Sequence, residues 1–296
     1  QIDIHDIDTY HFGFVLGPKL NAAGRIEHAL DGVRMLSTQN YSQALEYAKK
    51  LSNLNTQRQG YTIEMLDAAD KIINSGDKNN KLHFIYGNEW REGVVGLVAG
   101  KLQERYYRPI LVASIKNGMA TGSARSIPGF NITEAISNFS PLLVRFGGHS
   151  AAAGFTLEEK NLEKFRSELT LFANEKIKDE ELEQILNIDA SINLKDVNMA
   201  LYEWIDKFAP FGFANKKPVF LFNHVLVQEK YTMGKEKQHV KFILPYMIEA
   251  IAFSKATEYE NISKGDSINI VGSIDLNVWK GRTTFQIKII DLKLDE

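Results

Sequence analysis

The sequence has 296 residues, of which 44% are hydrophobic and 24% are charged. A single domain has about 100–200 residues, so this length predicts two domains rather than one, and the composition excludes a wholly disordered chain. The formal net charge of −2 excludes a histone-like basic protein but leaves room for a local basic patch. The absence of cysteine excludes disulfides, zinc–thiolate sites and cysteine nucleophiles.

The chain has no apolar run near the roughly 18 residues of a membrane span. Its start also lacks the basic segment followed by an apolar segment that marks a signal peptide. We therefore expect a cytoplasmic protein without membrane contact. Because the sequence begins with Gln1 and not Met, we expect a fragment or a chain numbered from a later residue.

The predicted elements change in character along the chain. Helical spacing of apolar residues over 41–75 predicts one long helix of the kind that connects domains, with Gly60 as the expected point of a kink. Short apolar strands then alternate with helical patterns over 77–180, which predicts an α/β layer. From about residue 215 the pattern becomes all-β, and a five-stranded OB-fold barrel is a good candidate. The expected strands of this region are 219–227, 239–245, 249–253, 267–275 and 284–292.

The near-neutral total charge hides an uneven distribution. Two basic segments, 101–156 and 207–296, flank an acidic one at 157–206. A polyanionic ligand would avoid the acidic segment, which we interpret as a solvated helix face, and would prefer the basic ones.

Four stretches combine glycine and small residues with a charged one: 17–25, 88–97, 122–126 and 147–154. In the third, Ser123 and Ser126 flank Arg125 after a glycine, so the segment could offer hydroxyl, backbone and guanidinium donors to a phosphate. The alternative is an ordinary strand with an exposed arginine. In the fourth, Gly147 and Gly148 precede His149, whose imidazole could serve as acid, base, metal ligand or phosphate donor. The alternative is a structural histidine.

The other two stretches favour packing. Asn21 and Arg25 are four residues apart, so on a helix they share a face, but the small residues between them equally predict close helix packing. Gly93 and Gly96 at a helix start could bind an anion through backbone amides, although close helix–sheet packing is the favoured interpretation. Acidic residues and histidine cluster near the N-terminus, at positions 3, 5, 6 and 8, without a companion cluster, and we do not expect them to be metal ligands. No Walker loop, nucleophile elbow or Rossmann fingerprint is present.

Taken in order, these stretches resemble the second half of the RecJ family, the single-strand-specific 5′→3′ DNA exonucleases of the DHH phosphoesterase superfamily. The resemblance covers nearly the whole chain through segments 17–25, 54–59, 90–105, 122–126, 147–154 and 208–220. It implies an α/β plus all-β architecture with a long connecting helix, a mixed α/β DHH-associated domain and a C-terminal OB-fold barrel. The implied divisions are the end of a catalytic DHH domain at 1–40, the connecting helix at 41–76, the DHH-associated domain at 77–190 and the OB domain at 191–296.

The resemblance also implies a function. The chain would be the substrate-binding half of a metal-dependent exonuclease of DNA repair and recombination that hydrolyses phosphodiester bonds in single-stranded DNA. In the family, Mn²⁺ or Mg²⁺ is held by aspartates and histidines of an upstream domain that includes an Asp-His-His motif. No such motif occurs here, so we expect no metal ligand in this chain and an inactive fragment. The expected partners are single-stranded DNA with a 5′ end, a single-strand-binding protein and a repair helicase.

The residues that match the family's motifs receive roles by this resemblance. Ser123 and Arg125 would hold a terminal 5′-phosphate, and His149 would face the scissile phosphate. The neighbouring Ser126, Gly147 and Gly148 are further expected substrate-binding residues. Arg25, with Asn21 beside it, would stabilise charge that develops in the transition state. Composition alone suggests the DNA contacts of the OB domain, which are Lys235, Lys237, Trp279, Lys280 and Arg282. The modest basic excess of 207–296 departs from what a strong nonspecific binder would suggest.

Two other functions remain open. A DHH-family oligonucleotide or nucleotide phosphodiesterase would have no obvious use for the last third of the chain. A binding module that holds single-stranded DNA without cleaving it is the other alternative, but the near-intact glycine motifs favour an enzyme. The upstream sequence would discriminate, because an Asp-His-His motif there would establish the metal centre.

Overall fold

The computed structural model describes residues 7–77, 79–279 and 281–295, apart from the side chains of Trp279 and Arg282. Contacts divide the chain into two compact units, Gln1–Gln184 and Ile185–Glu296. Within the described residues, no helix combines the length and the apolar character needed to cross a membrane.

The first unit begins with helices. A π-helical turn, His11–Leu16, leads into α1 (Gly17–Ile26), α2 (Leu30–Ser37) and α3 (Tyr41–Ser75), and the later helices are α4 (Glu92–Tyr106), α5 (Ile132–Ser137) and α6 (Leu162–Lys176). The predicted long helix is confirmed as α3, which has 35 residues and runs through Gly60 without interruption. The Asn40 side chain caps its start by accepting a hydrogen bond from the Gln43 amide at 3.1 Å. Its first half packs on α1 through Leu51 and Leu54.

A five-stranded sheet forms the centre of the first unit. Its strands are β1 (His83–Asn88), β2 (Ile110–Lys116), β3 (Met119–Arg125), β4 (Arg145–His149) and β5 (Ala152–Glu158), in the order β1-β2-β3-β5-β4. The pair β1/β2 is parallel, with α4 as its crossover, and the remaining pairs are antiparallel. Strand β4 is an exposed strand at the edge of the sheet.

The two faces of this sheet carry different cores. On one face α6 shares a core with alternate residues of β3 and β5. There the Phe84 ring meets Phe155 and Phe165 edge to face with centroids 5.6 Å apart, and the Phe155 and Phe165 rings are tilted to each other at 5.7 Å. Burying each such ring stabilises the fold by about 1.5–3 kcal/mol. On the other face α3 and α4 cover β1 and β2, with Val94 and Val98 against Val112. The part of this second face formed by β3, β5 and β4 includes exposed Gly154 and the wholly exposed β4.

The second unit is a seven-stranded sheet with one helix, α7 (Met199–Asp206). Its strands are β6 (Ala190–Ser191), β7 (Phe220–Leu226), β8 (Glu229–Met233), β9 (His239–Ile243), β10 (Glu249–Ala252), β11 (Ser267–Trp279) and β12 (Arg282–Leu294). The five expected strands correspond to β7 and β9–β12. The two that were not predicted are β6, which is too short to show a period, and β8, which has no fully buried residue.

The expected barrel is not closed by backbone pairing. The strand order is β6-β7-β11-β12-β10-β9-β8, and no ladder in the described residues joins β6 to β8. Curvature instead comes from the long β11–β12 hairpin, which has a bulge between Val271 and Gly272. A Cβ on Gly272 would lie 2.5 Å from the Lys288 carbonyl oxygen, so this close approach requires glycine. The result is an open form of the OB architecture, which is itself a partly open barrel.

Candidate functional site

Strand register brings four of the predicted site residues onto one face of the first sheet. Arg125 and His149 both pair with Ala152, and Ser123 and Gly147 both pair with Gly154. Residues directly opposite on neighbouring strands point to the same side of a sheet, so Arg125, Ser123, His149 and Gly147 share one side. We call this side of β3, β5 and β4 the open face. The residues of β5 between the functional residues are alanine and glycine, so no large side chain from β5 covers this part of the face.

The Arg125 guanidinium is held in place by its own strand. Its Nη1 donates to the Ser123 hydroxyl at 2.9 Å and to the Ala124 carbonyl at 2.8 Å. Burial lowers the pKa of Arg125 from its usual value, and the nearby charge of Arg25 lowers it further. Arginine still keeps its proton at neutral pH. The half-buried Arg125 guanidinium therefore carries a positive charge next to the Ser123 hydroxyl, and both groups lie close to Gly96 of α4.

The start of α4 closes one side of the open face. A Cβ on Gly96 would lie 3.2 Å from the Ser123 hydroxyl oxygen and 3.4 Å from Arg125 Nη2. A Cβ on Gly93 would overlap the carbonyl group of Arg25. Both glycines therefore permit close packing, as the favoured interpretation of the sequence proposed.

Helix α1 adds a second arginine. Arg25 Nη1 donates to the Gly93 carbonyl at 3.2 Å, which ties α1 to the start of α4. Arg25 bonds to Gly93, and Arg125 Nη2 lies close to Gly96, less than one turn further along α4, so both arginines line the start of this helix. Asn21 is exposed one turn earlier on α1. The structure thus brings Arg25 to Ser123 and Arg125, about 100 residues later in the sequence, at one corner of the sheet.

Two predicted residues lie apart from the open face. Ser126 is buried, and its hydroxyl donates to the Phe130 carbonyl at 2.6 Å within the loop after β3. Gly148 pairs with the core residue Ala153, and a Cβ there would overlap the Ala152 carbonyl oxygen. The close approach of two strands accounts for Gly148. A substrate contact for either residue stays a prediction that this geometry does not favour.

Sequence reasoning gave no role to Arg145 and Arg58. Arg145 pairs with Thr156 on the same side of β4 as His149, and its Nε donates to the Thr156 hydroxyl at 3.0 Å. Its position four residues before His149 is the signal that period-two alternation could have supplied. Arg58 lies on α3, and the charge of Arg25 also affects it.

The chemistry of this corner suits an anion and not a divalent cation. Arg25, Arg58 and Arg125 have no carboxylate within ion-pair distance in the part of the chain that the structure describes. The described residues also contain no group of three or more histidines and acidic residues that could hold a metal. Mg²⁺ and Mn²⁺ prefer carboxylate and other oxygen ligands, whereas guanidinium and hydroxyl donors match a phosphate. The residues present therefore do not fit Mn²⁺ or Mg²⁺.

The predicted DNA contacts of the second unit are not contiguous. Lys235 and Lys237 lie in the turn between β8 and β9, whereas Lys280 and the side chains of Trp279 and Arg282 lie outside the described residues. Strand β10 runs parallel to β12, and its last residue, Ala252, pairs with Val240 at the start of β9. The β8–β9 turn therefore lies at the opposite end of the sheet from the β11–β12 turn. Composition could not reveal this, because it depends on strand order.

An aromatic group that the sequence did not single out lies near the β8–β9 turn. Tyr231 and Phe253 are each about half exposed, at 50% and 56%. The His239 and Phe253 rings meet edge to face with centroids 5.3 Å apart. Tyr231 pairs with Lys241, two residues along from His239, so both strands present these side chains on the same side.

Comparison with known proteins identifies both parts of the chain. The DHHA1 domain model matches residues 79–175, and the RecJ OB domain model matches residues 188–291. The single-stranded-DNA-specific exonuclease RecJ of Bacillus subtilis is 33% identical over 99% of this chain, and that of Escherichia coli K12 is 29% identical over 98%. RecJ of Thermus thermophilus in complex with Mn²⁺ superposes with a TM-score of 0.83 at 24% identity, covering 97% of this chain and 42% of that one.

The fold and the domain matches together define a DHHA1 domain followed by an OB domain of the RecJ type. The chain belongs to the RecJ family and corresponds to its C-terminal part. It spans 38% of the Bacillus subtilis relative and 52% of the Escherichia coli relative. Family members have been crystallised with Mn²⁺ and with Mg²⁺, so divalent metals belong to the chemistry of the family.

Proposed function

We propose that this chain is the substrate-binding part of a single-stranded-DNA-specific 5′→3′ exonuclease, and that the corner formed by Ser123, Arg125 and Arg25 holds a DNA phosphate. The observation that carries the proposal is that Arg25 and Arg125 both line the start of α4, beside a face of small residues, and have no carboxylate partner among the described residues. The names of the relatives support it, because those proteins are called single-stranded-DNA-specific exonucleases.

In this proposal Ser123 and Arg125 bind the terminal 5′-phosphate. The Ser123 hydroxyl and the Arg125 guanidinium are already joined by a hydrogen bond, so they offer donors in a fixed arrangement. A hydrogen bond from the charged guanidinium to a phosphate oxygen is about twice as strong as a hydrogen bond between neutral groups. The exposed Gly154 and Gly147 allow the sugar–phosphate backbone to approach the sheet closely.

The scissile phosphate would lie between Arg25 and His149. Arg25, with Asn21 beside it, would stabilise the negative charge that grows on the non-bridging oxygens in the transition state. His149 would donate a hydrogen bond to the same phosphate or move a proton at the departing oxygen. The Mn²⁺ or Mg²⁺ of the complete enzyme would be bound outside this segment, because the donors described here suit an anion.

The second unit would hold the single strand beyond the reacting end. Tyr231 and Phe253 offer rings on which bases could stack, and each stacked base contributes about 1–3 kcal/mol. Lys235 and Lys237 would contact phosphates near these rings, and Trp279, Lys280 and Arg282 stay proposed DNA contacts from composition. A single-strand-binding protein and a repair helicase are the proposed partners in the cytoplasm. The domain divisions expected from the sequence, including a catalytic-domain remnant at 1–40, belong to the same proposal.

The RecJ OB match favours the exonuclease over a nucleotide phosphodiesterase, which would have no use for the second unit. We expect Arg125→Ala in the complete enzyme to slow degradation of 5′-phosphorylated single strands by about tenfold more than degradation of 5′-hydroxyl strands. The measurement compares initial rates on the two labelled substrates, with Arg166→Ala on α6 as the control. Equal losses on both substrates would contradict a role in binding the terminal phosphate.

A further inference from the structure

Helix α3 carries two polar residues that the proposed function leaves unused, Asn55 and Arg58. They are three residues apart, so they lie on the same side of the helix. This side follows directly from Leu51 and Leu54, which pack against Ala22 and Ala23 of α1. Asn55 and Arg58 therefore lie on the side of α3 that faces α1, toward the place where Arg25 of α1 donates to the Gly93 carbonyl at the start of α4.

In the part of the chain that the structure describes, both residues have buried polar atoms without a hydrogen-bond partner. Asn55 is only 8% exposed, and its Oδ1 has no hydrogen-bond partner. Arg58 Nε is also buried and unpaired. Leaving a buried polar atom unsatisfied costs about 1–3 kcal/mol, so two such atoms on adjacent turns need an explanation. A donor and an acceptor that face the same small region suggest a ligand that can satisfy both.

Charge adds a second, independent reason. Burial lowers the pKa of Arg58, and the charge of Arg25 lowers it further, just as Arg25 acts on Arg125. The packing agrees, because α1, α3 and α4 contact one another, and Arg25 and Arg125 both lie at the start of α4. Three guanidinium groups that repel one another and lack a carboxylate partner in the described residues form a site that an anion would stabilise.

We propose that Arg58, together with Asn55, is a further ligand of the phosphate held by Arg125 and Ser123. This inference rests on the proposed function. Arg58 Nε donates to a phosphate oxygen from the side of α3, opposite the sheet. Asn55 Oδ1 accepts a hydrogen bond from a water or hydroxyl that the bound nucleotide brings. The phosphate is then surrounded by donors from α1, α3 and β3.

The proposal predicts that stability and binding change in opposite directions. Arg58→Met and Asn55→Leu remove unsatisfied buried atoms, so both variants melt at a higher temperature than the wild type. Each nevertheless weakens the preference for a 5′-phosphorylated over a 5′-hydroxyl oligodeoxythymidine, by about tenfold for Arg58→Met. A purely structural role predicts the reverse, a lower melting temperature with unchanged preference.

The experiment measures binding of the two oligonucleotides by fluorescence anisotropy, using the complete enzyme in EDTA so that no cleavage occurs. Differential scanning fluorimetry with added inorganic phosphate gives the melting temperatures. Arg166→Met on α6 is the matched control and leaves the phosphate preference unchanged. Arg58→Lys is the second variant, because it keeps the charge and loses the Nε donor, and it retains the fold with a reduced preference.

The outcomes separate this inference from the proposed function. If Arg125→Ala abolishes the preference for phosphate and Arg58→Met retains it, the role of Arg58 is overturned and the proposed function stands. If neither variant changes the preference, both fail. A lower melting temperature for Arg58→Met with unchanged preference also overturns the inference, since Arg58 would then stabilise the fold. Loss of the preference in both variants, with a raised melting temperature for Arg58→Met, supports it.

Discussion

The arginines around the open face and several lysines of the second unit differ in their partners: the arginines bond to neutral groups, whereas the lysines form ion pairs with carboxylates. Among the described residues, Arg25 and Arg125 donate only to neutral groups, namely the Gly93 carbonyl, the Ser123 hydroxyl and the Ala124 carbonyl. In the second unit, Lys217 and Lys288 both pair with Asp275, at 3.3 and 2.6 Å. There, Lys241 also pairs with Glu249 at 3.0 Å.

The number of basic residues in a region therefore does not give the positive charge that can attract a ligand, because a lysine already paired with a carboxylate is largely neutralised. The second unit is a basic segment by sequence, but several of its lysines are neutralised inside its own sheet. Near the open face, a few arginines remain without a carboxylate and can attract a polyanion. The second unit would therefore depend on rings and loop lysines for binding DNA, which agrees with its modest basic excess.

The strongest test of the comparison removes one available charge. We expect Arg25→Gln to lower the single-turnover cleavage rate of the complete enzyme by about 10²–10³-fold at saturating single-stranded DNA, because a donor to the developing charge is lost. Lys241→Gln removes a charge that is already neutralised and serves as the control. A similar loss in both variants would show that pairing does not distinguish the two regions.

A second test concerns a lysine with a structural role. Lys230 Nζ donates to the carbonyl oxygens of Tyr259, Glu260 and Ile262 at 2.7 to 2.9 Å. Lys230→Met leaves these acceptors unsatisfied and should lower the free energy of unfolding by about 2 kcal/mol, as measured by urea denaturation. Lys264→Met, which removes an exposed ion pair with Glu229, is the control and should have a much smaller effect. Equal losses in the two variants would argue against a stabilising role of the three hydrogen bonds from Lys230 to the carbonyl oxygens.

The smallest expected effect depends on pH. Burial alone would raise the pKa of Asp275, but Lys288 and Lys217 outweigh it, and the pKa lies below its usual value. Because the folded pKa is depressed, this carboxylate stabilises the fold above its unfolded pKa, and the contribution disappears as pH falls through the folded pKa. Asp275→Asn should therefore cost about 1 kcal/mol at pH 7 and nearly nothing in strong acid. Urea unfolding at the two pH values provides the measurement, and a pH-independent loss would exclude the ion pairs as its cause.

Much of the fold was predictable, because it depends on local periodicity. The spacing of Leu51, Leu54, Met65 and Leu66 predicted α3, and alternation predicted most of the strands. The open edge of the second sheet was not predictable, since it depends on which strands pair. The strand β6 was missed because two residues cannot show a period.

The candidate site was predictable only in part. Ser123, Arg125 and His149 could be named from their motifs and the family resemblance, but their shared side required the register of three strands. Arg58 lies in segment 54–59, which contributes to the family resemblance, but the resemblance gave this residue no role. Its interest arises from unpaired buried atoms, which only packing reveals.

The position of β4 at the sheet edge has a consequence for solubility. An exposed edge strand is a template on which a second molecule can add a strand, and such edges promote aggregation. In β4 this edge carries a charged residue, Arg145, and the adjacent Gly147 and Gly148, which weaken any added ladder. The features that would let a nucleic acid approach the sheet in the proposed function therefore also discourage self-association. A β-branched residue in place of Gly147 would therefore both hinder the close approach of a ligand to the sheet and favour pairing with an added strand.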